Sequence, residues 1–140
     1  KPENIMLSQN KGLKILDFGL ARTVGARELT LTGEFKGTPK YCAPEQAQNT
    51  KKIGPATDQF AFGLLTFQYL TGSFPYPEFP KDPLQNIFIR LTQPAARLSS
   101  LWPDVSPEAD ESMARMLKVA PEERFGSLRE AFEVFSDNLG

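Results

Sequence analysis

The stretch Thr57-Asp58-Gln59-Phe60-Ala61-Phe62-Gly63-Leu64-Leu65-Thr66-Phe67-Gln68-Tyr69-Leu70 constrains the fold more than any other part of this chain. Its apolar residues fall nearly all round a helix rather than along one stripe, and such a helix belongs in the middle of a domain with other elements packed about it. Thr57 and Asp58 supply a cap signal at its start and Thr71-Gly72 a stop. The apolar run over residues 60–70 is about half the length a membrane-spanning helix needs. No charged-then-apolar leader opens the chain, so the expectation is a soluble domain built around this helix.

The remaining elements can be read in chain order. Ile5-Met6-Leu7 and Leu13-Lys14-Ile15-Leu16 flank the polar Ser8-Gln9-Asn10-Lys11-Gly12, which predicts a small β-hairpin over residues 5–16. Residues 17–40 contain Gly19, Gly25, Gly33 and Gly37 and no sustained periodicity. That is a long loop, and loops beyond about 15 residues are usually functional or disordered. After Pro44 the pattern is helical to the end, with Leu84, Ile87, Phe88 and Leu91 at helical spacing. Ser106-Pro107-Glu108 is a helix start with Pro at the first helical position, followed by Met113, Met116 and Leu117 on one face. A last helix within residues 127–139 places Leu128, Ala131, Phe132 and Phe135 on one side. The expected fold class is mainly α, with a small β-hairpin, a long loop and about five helices.

Composition removes several kinds of chemistry. At 140 residues and 40% apolar content the chain can build the core of one small domain. Sixteen Lys and Arg against seventeen Asp and Glu leave a net charge of −1, so neither nucleic acid nor an anionic membrane surface is an expected partner. Cys42 is the single cysteine and closes no intrachain disulfide. With no histidine, a zinc site of the common Cys/His type and a histidine-based triad are both excluded.

Asp17-Phe18-Gly19 follows directly on the second apolar run, so the Asp17 carboxylate stands at a strand end where Gly19 lets the backbone turn away. A carboxylate there is well placed to hold a hard cation such as Mg²⁺, although the tripeptide alone reads equally as a strand-end Asp in a turn. Its company says more. Lys1-Pro2-Glu3-Asn4 precedes it, and Gly37-Thr38-Pro39-Lys40-Tyr41-Cys42-Ala43-Pro44-Glu45 follows. Asn4, Asp17-Phe18-Gly19 and Ala43-Pro44-Glu45 in that order match the catalytic-loop Asn, D-F-G and A-P-E of the protein kinase signature. The whole chain resembles the large lobe of a eukaryotic-like, bacterial-type protein serine/threonine kinase. On that resemblance it is a partial kinase domain over residues 1–140, α+β in its full form. The end of the catalytic loop falls at residues 1–4, the hairpin at 5–16, the activation segment at 17–45 and the helical subdomain at 46–140.

The resemblance implies transfer of the ATP γ-phosphate to Ser/Thr hydroxyls of protein substrates, with ATP and Mg²⁺ as cofactors. Asn4 and Asp17 would hold the Mg²⁺ ions and Lys1 would meet the γ-phosphate, making Lys1, Asn4 and Asp17 the cofactor-binding set. Lys1 and Thr38 carry the catalytic roles, Thr38 by seating the acceptor residue, and both favour Ser/Thr over Tyr as acceptor. Thr30 and Thr32 resemble the paired phosphothreonines of bacterial members, with Arg22 as partner for the added charge. Without the resemblance they read, like Thr23, as solvated loop hydroxyls. Three residues take structural roles: Asp58 would accept backbone hydrogen bonds from the catalytic loop, and Arg124 would pair with Glu45. Two positions depart from the family pattern. Ala120 stands before Pro121 where many members have Asp, and Cys42 stands where Met or Leu is common. Packing is the first role of Cys42 and a modifiable thiol the second.

In the family the catalytic Asp lies two residues before the position of Lys1, and the Gly-rich loop, strand Lys and helix Glu lie further upstream. These 140 residues alone are therefore expected to transfer no phosphate and to leave part of the 60–70 helix exposed. ATP dependence implies a cytoplasmic location. A pseudokinase-type scaffold, or an inactive remnant that binds protein partners, is the competing reading, against which the presence of Lys1, Asn4, Asp17 and Thr38 stands. A helical interaction module with chance motifs leaves their order unexplained.

Overall fold

The computed structural model describes residues 1–8, 12–16, 39–48, 53–79 and 82–140. Asp17, Arg22, Thr23, Thr30, Thr32 and Thr38 lie outside the described residues. Two strands, β1 (Ile5–Ser8) and β2 (Gly12–Ile15), come first. Five helices follow among the described residues: α1 (Pro44–Gln48), α2 (Pro55–Thr71), α3 (Pro83–Thr92), α4 (Pro107–Met116) and α5 (Leu128–Asp137). The mainly-α reading with one hairpin therefore holds. β1 and β2 pair antiparallel in the register Ile5↔Ile15 to Ser8↔Gly12.

The central helix begins earlier than the cap signal indicates. Gly54, not Thr57 or Asp58, is the cap residue of α2, and Pro55 occupies its first position. Proline suits that place because its fixed φ is helical and its missing N–H would have had no partner there. Thr57 turns back on the cap, and the Gly54 N–H donates to Thr57 Oγ1 at 3.2 Å. At the other end Gly72 takes a left-handed φ of 70°, and its N–H donates to Gln68 O at 2.8 Å. That geometry is the usual reason for Gly after a helix.

α2 forms the centre of the core through one face. Phe60, Leu64 and Phe67 pack with Leu98, Met113, Met116, Leu117, Phe125 and Phe135. Gly63 lies where α2 meets the end of α4: a Cβ there would stand 3.0 Å from Leu117 Cδ2 and 3.2 Å from Met116 Cβ. The missing side chain lets the two segments close. The opposite side is less covered, with Phe62, Leu65 and Leu70 half-buried and Tyr69 89% exposed. Among the described residues that side of the helix is thus incompletely covered.

α4 follows its periodicity. Ser106 Oγ accepts from the Ala109 N–H at 3.1 Å, and Met113, Met116 and Leu117 are buried. In α5 only half of the expected stripe turns inward: Ala131 and Phe135 are buried, Leu128 and Phe132 are exposed, and Phe132 meets Phe62 edge-on at 6.3 Å. α3 departs furthest. Of Leu84, Ile87, Phe88 and Leu91, only Ile87 is buried; Phe88 is 62% exposed, and the inward side carries Ile89 and Arg90. The guanidinium is drawn in because carbonyl oxygens of residues 40 and 42 face it. Among the described residues no helix is long and apolar enough to cross a membrane.

Candidate active site

Lys1 and Asn4 stand at the entry to the hairpin. Lys1 precedes a short 3₁₀ turn, Pro2–Asn4, in which the Asn4 N–H donates to Lys1 O at 2.9 Å. The chain then enters β1, and antiparallel pairing decides what lies opposite. The Leu16 N–H donates to Asn4 O at 2.7 Å, so Asn4 sits against the residue that precedes Asp17. Asn4 is half-buried and Lys1 exposed. An amide oxygen and a carboxylate are both hard oxygen donors of the kind Mg²⁺ takes, so Asn4 and Asp17, the residue after Leu16 in sequence, fit that cation in chemistry.

Residues 39–45 are pinned from several directions. The Tyr41 hydroxyl donates to Gln68 Oε1 on α2 at 2.8 Å, and the Ala43 N–H donates to Gln46 Oε1 at 2.8 Å. Arg90 Nη1 donates to Cys42 O at 2.8 Å, and Arg90 Nη2 donates to Lys40 O. Lys40 Nζ reaches Glu78 Oε1 at 2.5 Å. Cys42 lies inside this clamp, where burial pushes its thiol up to about 11 despite the opposing pull of Arg90. The thiolate therefore forms only as pH approaches that value, and packing is the role the structure favours. We expect iodoacetamide at pH 7.5 to alkylate Cys42 at least about tenfold more slowly in the folded than in the denatured protein. Equal rates would restore the modifiable-thiol reading.

Glu45 and Arg124, 79 positions apart, form a fully buried fork: Arg124 Nη1 donates to Glu45 Oε1 at 2.8 Å and Nη2 to Oε2 at 2.9 Å. The other three guanidinium hydrogens are also used, on Ala56 O at 2.7 Å, Lys118 O at 2.9 Å and Val119 O at 3.2 Å. All five donors of the side chain thus find acceptors, the condition under which a buried ion pair is tolerated. The Phe60 ring lies 4.9 Å beneath the guanidinium. This pair ties Ala43-Pro44-Glu45 to the start of α2 and to the turn before Phe125.

The catalytic-loop backbone expected to bond Asp58 lies mostly ahead of Lys1, so its expected role is not tested here. Its residue is largely exposed, partial burial of the carboxyl raises its pKa, and among the described residues nothing donates a hydrogen bond to it. Residues 1–4 therefore do not bond it here; Gly54, Pro55 and Thr57 already settle the start of α2 without its help.

Three positioning side chains escape the sequence reading. Gln59 clamps the Phe125 backbone, donating to its O at 2.7 Å and accepting from its N–H at 3.1 Å. Gln68 holds Tyr41, and Arg90 holds the carbonyls of residues 40 and 42. For Gln59 a signal existed: a polar residue within a helix apolar all round must find a partner when buried.

Comparisons with known proteins agree in one direction. Residues 1–136 match the protein kinase domain. The chain is 34% identical over 125 residues to the serine/threonine-protein kinase PknL of Mycobacterium tuberculosis, a match covering 89% of this chain and 31% of that protein. It is 34% identical over 133 residues to the serine/threonine-protein kinase Pkn1 of Myxococcus xanthus, covering 91% of this chain and 19% of that one. The crystal structure of the M. tuberculosis PknI kinase domain superposes with a TM-score of 0.68 at 25% identity, over 99% of this chain and 44% of that chain. The chain thus spans less than a third of either curated relative.

Proposed function

Because this chain belongs to the protein kinase family, we propose that it supplies the large-lobe half of a phosphotransfer site acting on Ser/Thr hydroxyls of protein substrates. The hairpin register carries the reading, since it joins Asn4 to the residue before Asp17. Phosphoryl transfer needs positioning and neutralisation of spread-out negative charge more than covalent chemistry. Mg²⁺, when bound with ATP, supplies that neutralisation. Asn4 and Asp17 hold the cation, Lys1 orients the γ-phosphate, and Thr38 seats the acceptor at the start of the pinned segment 39–45. Thr30 and Thr32 are the proposed phosphorylation sites, ordering their loop through Arg22. The proposed setting is the cytoplasm, with protein substrates as partners and neither nucleic acid nor membrane contacted by this segment.

The test uses the natural full-length protein, labelled ATP and acceptor peptides that differ only in carrying Ser, Thr or Tyr. Label is expected on the Ser and Thr peptides, not on Tyr, and is expected to vanish when EDTA removes Mg²⁺. A folded protein that labels none of them would favour the scaffold reading.

A further inference from the structure

Arg90 is a buried cation to which the proposed function assigns no task. Its residue is 2% exposed although it lies in a ten-residue helix whose neighbouring Phe88 faces outward. A guanidinium is costly to bury and is kept where its rigid planar fork is used. Here the fork spans two carbonyls: Nη1 donates to Cys42 O at 2.8 Å and Nη2 to Lys40 O. These oxygens bracket Tyr41, in the stretch between Thr38 and Ala43-Pro44-Glu45.

Aromatic rings back the fork. Phe74 lies 5.5 Å from the Arg90 guanidinium and 4.9 Å from Lys40 Nζ, and Tyr41 meets the same ring edge-on at 6.0 Å. From Phe74 the row continues to Tyr76 at 6.3 Å and to Phe60 at 6.5 Å, over which Arg124 lies. Arg90 therefore stands at one end of a packed row whose other end is the Glu45–Arg124 pair. Each end fixes one part of the same segment.

We propose that Arg90 is a positioning residue for the protein substrate: by holding the carbonyls of Lys40 and Cys42 it shapes the backbone on which the acceptor is seated. The inference rests on the kinase reading of the site. Two carbonyls flanking one residue require two divergent donors on one plane, which a guanidinium has and an ammonium lacks. Loss of the fork leaves two sheltered carbonyls without those donors, so residues 40–42 relax. The ATP side of the site rests on the hairpin, a different segment from the one the fork holds.

The experiment compares wild type, Arg90→Met and Arg90→Lys in the natural full-length protein, with KM for a Ser/Thr acceptor peptide and KM for ATP measured separately. Arg90→Met is expected to raise the acceptor KM about tenfold or more and to leave the ATP KM within about twofold. Arg90→Lys, which keeps the charge but not the planar fork, should lie between. Amide hydrogen exchange gives a readout independent of activity: residues 40–43 should exchange at least about tenfold faster in Arg90→Lys while α4 amides stay unchanged. If Arg90→Met fails to fold, Arg90→Lys carries both measurements. An unchanged acceptor KM with unchanged exchange overturns the proposal, as do ATP and acceptor KM values that rise in parallel. If the wild type phosphorylates no acceptor, the kinase reading falls and the proposal with it.

Discussion

Arg124→Met is expected to destabilise the helical subdomain by about 3–5 kcal/mol, read as a lowered denaturant midpoint in the full-length protein. The size follows from what the variant leaves behind. Glu45 is 2% exposed at its side chain and has its carboxylate in the fork of a guanidinium that is wholly buried. Removing that guanidinium strands a charge in the interior and takes donors from Ala56, Lys118 and Val119 at once. Against a typical domain stability of about 5–15 kcal/mol this is a large share. Glu45→Gln removes the charge but leaves an amide that can still accept from Arg124, so its own cost is expected to be smaller, about 1–3 kcal/mol. Arg124→Met should then cost less in the Glu45→Gln background than alone, because no carboxylate remains to be stranded. A loss below about 1 kcal/mol for Arg124→Met alone would mean that the pair does not hold the segment after Ala43 to the helices.

The second large effect is chemical. Asp17→Ala in the full-length protein is expected to lower Mg²⁺-dependent phosphate transfer at least about a hundredfold, since on the proposed reading it removes a ligand of the cation that neutralises the transferring phosphate. Asn4→Ala should lower it less and should be partly rescued by higher Mg²⁺, because the second oxygen ligand remains. The hairpin should survive Asn4→Ala. What Asn4 contributes to the fold is its backbone, whose oxygen accepts from the Leu16 N–H at 2.7 Å and whose N–H donates to Lys1 O at 2.9 Å, both independent of the side chain. An unchanged thermal midpoint therefore separates the loss of chemistry from a loss of fold. Transfer by Asp17→Ala at more than about a tenth of the wild-type rate would remove Asp17 from the metal site.

The elements legible in the sequence are those whose instructions are local. The hairpin needs only two apolar runs and a polar connection of the right length, and α4 needs only Ser106-Pro107 and a stripe at Met113, Met116 and Leu117. The order of Asn4, Asp17-Phe18-Gly19 and Ala43-Pro44-Glu45 carried the family, which the match over residues 1–136 shows. The pairing of Arg124 with Glu45 was legible through that resemblance and not through spacing, since nothing in a linear pattern joins residues 79 positions apart.

Periodicity found the helices α3 and α5 but not how deeply their apolar residues are covered, because spacing ranks side chains by apolarity and says nothing of what packs against them. Leu84, Phe88 and Phe132 are exposed, while Arg90 and Gln59 are buried. In each buried case backbone groups of another segment supply the partner: the carbonyls of Lys40 and Cys42 for Arg90, and the Phe125 N–H and C=O for Gln59. The sequence by itself determined the local elements, the motif order and the family. Only the tertiary structure decided which polar side chains turn inward and how closely α2 meets the end of α4 at Gly63. The physical reason is that a buried polar group is stable only where another part of the chain presents a partner, and that placement is set by packing rather than by neighbours in sequence.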